Sequence, residues 1–400
     1  MLFYCEKHFP GEYIALDVSK LMDLNLLFEK LNIPWNTADE RSMLLIEEIH
    51  TTFREGPREG FWYDIPLEFW SSFEFELFEF NVNPEQSASL IFRVRIKAHQ
   101  NSINFKPFRF YPPPYFGEYH VASHITLDPS WCTLKDSLDF KNHEYLELHA
   151  LNVEFGNWNE IRSPNQSFRL IYDMGADLTW NGAQIIQLVQ KANMKTNNIH
   201  VILSHWDLDH IHAVLGMFDS EIQNIETFTA PSKFSGTATS LRIWNRLVSN
   251  GVNPWLIPPM NRVSSLHRIN LLPCYRNSLF TIYRSTDGSS MNQSGIVLLI
   301  NGPNCSALLT GDHHYPEILR DIILTQRLTE FEIIVPHHCG NAGNFDVSAW
   351  STLNIRGSII STLTGRYRNV PKRNAHNFFS SATINFDCTE CHARDIVHFI

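Results

Sequence analysis

Apolar positions in the later part of the chain come in short, dense runs. They stand at 168–172, 197–203, 306–309 and 332–335, and a polar corner at 292–295 feeds a further run to 300. Runs of this length, closed by Gly, Pro or a charged residue, read as strands buried on both faces. Residues 179–194 carry helical spacing between the first two runs, and 211–218 is expected to be the next helix. Strand and helix in alternation imply a layered α/β arrangement.

The first third is patterned differently. Residues 21–31 and 39–53 have apolar positions at helical spacing, with Asp39 placed as a cap. Residues 73–80 alternate apolar and acidic side chains, the signature of a half-buried strand, and 91–96 is its expected neighbour. The segment 111–115 reads as a stiff proline connector. Aromatic density between Phe61 and Phe116 is expected to fill the core of a small α+β domain rather than to form a binding surface.

Candidate chemistry sits where the buried runs end. Directly after Val201-Ile202-Leu203, the stretch Ser204-His205-Trp206-Asp207-Leu208-Asp209-His210 offers four potential metal ligands. Side chains alternate in direction along an extended backbone. His205, Asp207 and Asp209 can therefore point one way while His210 starts the next segment at another angle, so one loop can feed two adjacent metal positions. Imidazole with carboxylate suits zinc, manganese or iron, and the absence of a nearby thiolate argues against a closed structural zinc site. An Asp/His loop that merely caps a helix would not require partners elsewhere. Here Asp173 ends a strand before Gly175, Asp312 follows Thr310-Gly311, and His337-His338 follow Pro336. Ligands on strand ends are held more firmly than ligands on free loops.

The series Tyr172-Asp173-Met174-Gly175, Ser204 to His210, Leu309-Thr310-Gly311-Asp312 and Val335-Pro336-His337-His338 resembles the metallo-β-lactamase fold of hydrolases, over roughly residues 145–400. Asp207 replaces the second His of the usual His-x-His-x-Asp-His motif. That variant is similar to the hydrolase domain of ComEC-type competence proteins, and 151–157 resembles that domain's opening strand and Gly turn. The resemblance implies an αββα sandwich at 145–400; it does not reach the first third, which by its own patterning is a smaller α+β domain at 1–144. It implies that His205 and Asp207 serve one metal position, Asp209 and His210 the other, and that Asp312 bridges them. His338 is the favoured ligand of its pair, with His337 as the alternative, and Asp173 orients the loop by hydrogen bonding. The implied cofactor is Zn2+ or Mn2+, one or two ions per chain. Asp209 and Asp207 are the expected catalytic carboxylates, orienting water and returning a proton.

This sequence departs from the family pattern at three places. The His expected between the metal loop and Thr310 has no clear counterpart, and Asn292 is near that position. Cys339 occupies the place of a Gly after the His pair, and Val370 that of a His before Pro371. The second metal position is therefore better supplied than the first.

Length and charge bound the rest. A chain of 400 residues with 44% hydrophobic and 18% charged side chains is an ordered protein of about two domains. A net charge of −10 gives no general attraction for phosphate backbones. Arg366, Arg368, Lys372 and Arg373 read as a solvated basic loop. The start lacks a signal-peptide pattern and no run reaches the ~18 apolar residues of a membrane span, so a cytoplasmic location without membrane partners is expected. Seven irregularly spaced cysteines suit free thiols. Cys388-Thr389-Glu390-Cys391-His392 has the form of a haem-attachment motif but reads as chance, and the resemblance puts it in a terminal β-hairpin. The expected function is metal-dependent hydrolysis of phosphodiester bonds in nucleic acid or nucleotides. The alternatives are hydrolysis of a small ester, lactone or amide, and a metal-binding sensor module whose N-terminal domain recruits a protein partner.

Overall fold

The computed structural model describes residues 1–9, 13–33, 41–47, 57–70, 73–77, 91–97, 109–111, 145–165, 168–195, 199–261, 268–286, 290–362 and 370–400. Three seven-stranded sheets organise the described residues. The first holds β1 (Leu2–Phe9), β2 (Tyr13–Val18), β3 (Met43–Glu47), β4 (Trp62–Asp64), β5 (Glu74–Leu77), β6 (Ile91–Lys97) and β7 (Arg109–Tyr111), in the order β5-β6-β3-β2-β1-β4-β7. The second holds β8 (Glu147–Ala150), β9 (Trp158–Arg162), β10 (Arg169–Met174), β11 (Ile199–Ile202), β12 (Ile225–Pro231) and β13 (Pro254–Ile257), closed at one edge by the last strand of the chain. The third runs in sequence order from β14 (Leu271–Arg276) through β15 (Phe280–Ser285), β16 (Ile296–Asn301), β17 (Ser306–Leu309), β18 (Phe331–Ile334) and β19 (Ile355–Ile360) to β20 (Asn385–Cys388). The closing strand, β21 (Ile396–Phe399), pairs with β8.

Strand alternation separates the layers. Leu170 and Tyr172 of β10 point into a core shared with Leu298 and Ile300 of β16 and Leu309 of β17, which glues the second sheet to the third. Ile171 points the other way, into a core with Ile185 and Val189 of the helix Gly182–Ala192 and Ile243 and Leu247 of the helix Ala238–Ser249. Leu299, Leu308 and Ile333 meet Tyr315, Trp350, Phe378 and Phe379 on the far side of the third sheet. Helices, sheet, sheet, helices is the αββα order expected from the sequence. Asn181 caps the first of these helices with a reciprocal Asn181–Gln184 capping box.

The first sheet buries both faces. Phe3, Cys5, Leu16 and Leu44 pack with Leu24, Leu27 and Phe28 of the helix Leu21–Lys30. Tyr4, Phe9, Tyr13, Ala15, Met43 and Leu45 join the core that contains Ile185 and Ile243. The Trp62 indole donates to the Ser235 carbonyl at 3.0 Å, and Arg93 to the Thr179 carbonyl at 2.6 Å. Trp62, Tyr63, Trp70 and Phe92 are core residues.

Three sequence expectations change. Within the helix expected over 39–53, residues 43–47 are a strand between β2 and β6. Apolar side chains at each of positions 43–46 feed both cores, and over so short a window that pattern also fits a helix. Residues 39–40 and 48–53 lie outside the described residues, as do 78–80 of the expected strand and 112–115 of the connector. The helix expected over 211–218 is a 3₁₀ segment His212–Gly216 followed by the short helix Asp219–Ile222. A Cβ on Gly216 would stand 2.6 Å from Ile185 Cγ2, so the segment lies tight on the preceding helix. Cys388 to His392 form no hairpin. The turn Thr389–His392, with Ala393 at φ 49°, carries the chain from β20 in the third sheet to β21 in the second. No helix among the described residues is long and apolar enough to cross a membrane.

Candidate metal centre

The ligand candidates cluster at one end of the two central sheets. β10 ends in Asp173, whose φ of 64° is left-handed. Its Oδ1 accepts from the Ser204 amide at 2.6 Å, and its Oδ2 accepts from Ser204 Oγ and from His210 Nδ1, both at 2.8 Å. One carboxylate thus fixes the loop that follows β11. Gly175 is needed two residues on, because a Cβ there would fall 1.7 Å from the Asp209 carbonyl oxygen. Gly311, at φ 53°, packs its backbone on Ser204, where a Cβ would lie 2.6 Å from that residue's Cβ. Both glycines serve close approach.

Each histidine that faces the centre is tied by its other nitrogen. His338 Nδ1 donates to the Ser361 carbonyl at 2.8 Å, and His210 Nδ1 to Asp173. Ser204 Oγ gives its proton to Asp173, so it accepts from His205 Nδ1 at 2.9 Å. In the neutral imidazoles all three Nε2 atoms therefore present lone pairs. None of them has a hydrogen-bond partner among the described residues, and neither do Asp207 Oδ1, either oxygen of Asp209, or Asp312 Oδ1. These atoms converge. His210 Nε2 lies 3.2 Å from Asp312 Oδ1 and 4.0 Å from Asp209 Oδ2, and His338 Nε2 lies 3.4 Å from Asp209 Oδ2. His205 Nε2 is 3.2 Å from Asp207 Oδ2 and 4.0 Å from Asp312 Oδ2. Two ligands of one zinc ion, each at about 2.1 Å, stand at most ~4.2 Å apart. Lone pairs aimed at carboxylate oxygens across such gaps fit a cation between them.

Two triplets gather such atoms, His205–His210–Asp312 and Asp209–His210–His338, each with ligand atoms within 4.8 Å of one another. His210 belongs to both, whereas the sequence reading gave it to one position. Asp207 stands at the edge of the first triplet, against His205. Asp312 reaches toward both sides of the cluster. His337 falls outside the triplets. Its Nδ1 accepts from the Asn292 amide at 3.1 Å, and the same amide lies 3.4 Å from Asp312 Oδ2, so Asn292 holds both. His337, His338 and Cys339 have φ of 52°, 53° and 63° in succession. Left-handed backbone in three non-glycine residues costs energy that concentrates at functional sites. Cys339 holds a backbone that a Gly would adopt freely. Val370 touches the core near Gly340; Arg366 and Arg368 lie outside the described residues, and Lys372 and Arg373 open the helix Arg373–Ala382.

Two residues that the sequence reading did not single out enter from the first sheet. Lys7 Nζ is 3.1 Å from Asp209 Oδ2, with the lysine side chain 2% exposed and the aspartate 0%. Glu6 is buried beside it, with no hydrogen-bond partner for either oxygen among the described residues. Two charges within the apolar strand Leu2–Phe9 were the only available signal.

The electrostatics are those of a cation cage. Burial pushes the Asp209 carboxyl up, but Lys7, His210 and His338 hold it well below the usual range. Asp312 is likewise held down against burial by His337 and His210. Burial would lower His210, yet Asp312 and Asp173 raise it well above an ordinary imidazole. His337 is driven down to about 4, chiefly by burial.

No family profile matches the chain, and no curated protein matches it. Solved structures similar to it include the metallo-β-lactamase fold protein YhfI from Bacillus subtilis, at 13% identity and TM-score 0.38, covering 64% of this chain and 100% of that one. Another is Tm1679, a metal-dependent hydrolase of the β-lactamase superfamily, at 11% identity and TM-score 0.37, covering 64% and 99%. A long form RNase Z from yeast aligns at 12% identity and TM-score 0.37 over 80% of this chain and 49% of its own.

Proposed function

We propose that the chain is a metal-dependent hydrolase of the metallo-β-lactamase type, acting on phosphodiester bonds of nucleic acid or nucleotides. Residues 145–400 are the hydrolase and residues 1–144 a smaller unit, whose strand Leu2–Phe9 reaches the centre through Lys7. The observation that carries the reading is the convergence of buried, unpartnered Nε2 and carboxylate atoms whose partner nitrogens are all tied down. His205, His210 and Asp312 would hold the ion, with Asp209 and His338 on its other side and Asp207 beside His205. A divalent Zn or Mn ion supplies Lewis acidity that brings water's pKa toward neutrality.

The chain's own groups do the remainder. Asp209 Oδ1, free of hydrogen bonds among the described residues, orients the attacking water and takes its proton. Asp209 then returns that proton to the leaving group, and Asp207, beside His205, is the alternative carboxylate for both steps. Asn292 fixes both Asp312 and His337, and Phe155, with its ring centroid 4.3 Å from that of His338, keeps bulk water from that side. The test is turnover of linear DNA, RNA, cyclic nucleotides and a generic phosphodiester before and after chelation, with Zn or Mn restored. Activity that vanishes with the metal and is abolished by Asp209→Asn supports the reading. Turnover of esters or lactones but no phosphodiester would replace the substrate class, and no turnover with any metal would overturn the enzyme.

A further inference from the structure

A β-bulge decides which way Lys7 faces. On β1, Cys5 pairs with Leu16 but Lys7 pairs with Ala15, so Glu6 is an extra residue in the ladder. Strict alternation would put Lys7 on the face of Phe3 and Cys5, against the helix Leu21–Lys30. The inserted residue reverses the phase. Lys7 comes to the face of Ala15 and Phe9, which joins the core of the second sheet's helical layer. Bulges re-aim side chains in this way. Here the re-aimed ammonium arrives at the Asp209 oxygen that also faces His338 and His210.

We propose that Lys7 is a built-in cation of the metal centre, standing where it neutralises Asp209 and keeps a second divalent ion off Asp209 and His338, the ligands left over once the single lone pair of His210 Nε2 serves the first ion, so that the centre holds one ion at His205–His210–Asp312. An ion bound to Asp209 would lie ~2.1 Å from its oxygen. The ammonium is 3.1 Å from the same oxygen, with its side chain 2% exposed. Two positive centres that close, in an interior that salt does not screen, repel strongly. The first triplet includes no atom of Asp209 and is free of this conflict. The N-terminal sheet is then part of the centre and sets its stoichiometry.

The inference rests on the metal-centre reading, and metal stoichiometry separates the two. The full chain, saturated with zinc and then with manganese, is freed of excess ion and its bound metal counted by mass spectrometry. The wild type is expected to hold one ion per chain, Lys7→Arg one, and Lys7→Met two, the second released first on titration with a chelator. Adding His338→Gln to Lys7→Met should return the count to one. Two ions in the wild type, or one ion in a folded Lys7→Met, overturns the role of Lys7. No ion in the wild type overturns the metal-centre reading instead. If Lys7→Met does not fold, the wild-type and Lys7→Arg counts still decide, since two ions in either is incompatible with the proposal.

Discussion

Asp173 illustrates how much one side chain can fix. Its left-handed backbone carries a strain of about 1–3 kcal/mol, which its three accepted hydrogen bonds offset. Without it, His210 Nδ1 and Ser204 lose the acceptor that sets both imidazole tautomers. Asp173→Asn leaves the size unchanged but removes the charge and one acceptor oxygen. Metal affinity, measured by competition with a chromogenic chelator, should fall about 10- to 100-fold while the circular dichroism spectrum is unchanged. An unaltered affinity would mean that Asp173 serves the loop's fold alone. These residues were readable from sequence because each directly follows an apolar run. Lys7 was not, because its direction depends on which residue of β2 it pairs with, and local pattern does not encode that pairing.

The elements were legible in proportion to their regularity. The helix Gly182–Ala192 has a cap, a period and a clear end, and β10, β11, β17 and β18 are apolar runs closed by the residues they present. β3 defeated the same reading because it is apolar on both faces. The contact between β2 and the helix Ala238–Ser249 was also invisible, since Asp17 meets Thr237 and Thr239 from more than 200 positions away. Burial pushes the Asp17 carboxyl up to about 6, against hydrogen bonds from Thr237, Thr239 and Ser42 that pull it down. A carboxyl raised above its unfolded value of ~3.9 favours the fold fully only below that pH, and the benefit is lost as pH rises to about 6. At pH 7.5 the ionised group therefore costs on the order of 3 kcal/mol. Asp17→Asn is expected to raise the melting temperature by several degrees at pH 7.5 and to leave it unchanged near pH 4. A variant less stable than wild type at both values would show that the charge is needed at the helix N-terminus.

The whole molecule depends on ties between its sheets. His398 of β21 hydrogen-bonds Glu332 of β18 through Nδ1 and Asp387 of β20 through Nε2, each at 2.8 Å, and so fastens the second sheet to the third. A Cβ on Gly357 would stand 1.8 Å from Glu332 Oε2, so that glycine makes room for the tie. Burial lowers the His398 pKa, but Glu332 and Asp387 outweigh it and the net shift is upward. The stabilisation is therefore complete below the unfolded value of ~6.5 and is lost as pH rises through the folded one. His398→Ala should cost about 3 kcal/mol at pH 6 by chemical denaturation and less at pH 9. An equal cost at both would make the residue a packing element only.

The αββα order was legible because alternating runs and helices dictate it, while the placement of the first sheet over the centre was not, because bulge and tertiary register determine it. The centre itself is nearly sealed. His205, Asp209, His210, Asp312 and His338 are each at most 1% exposed. The claim on which all else depends is that these side chains hold a divalent ion, and the most direct measurement is bound metal in the wild type against Asp312→Ala, purified alike and counted by inductively coupled plasma mass spectrometry. The account predicts metal in the wild type and its loss in a variant that remains folded. Full retention of metal by Asp312→Ala would contradict it.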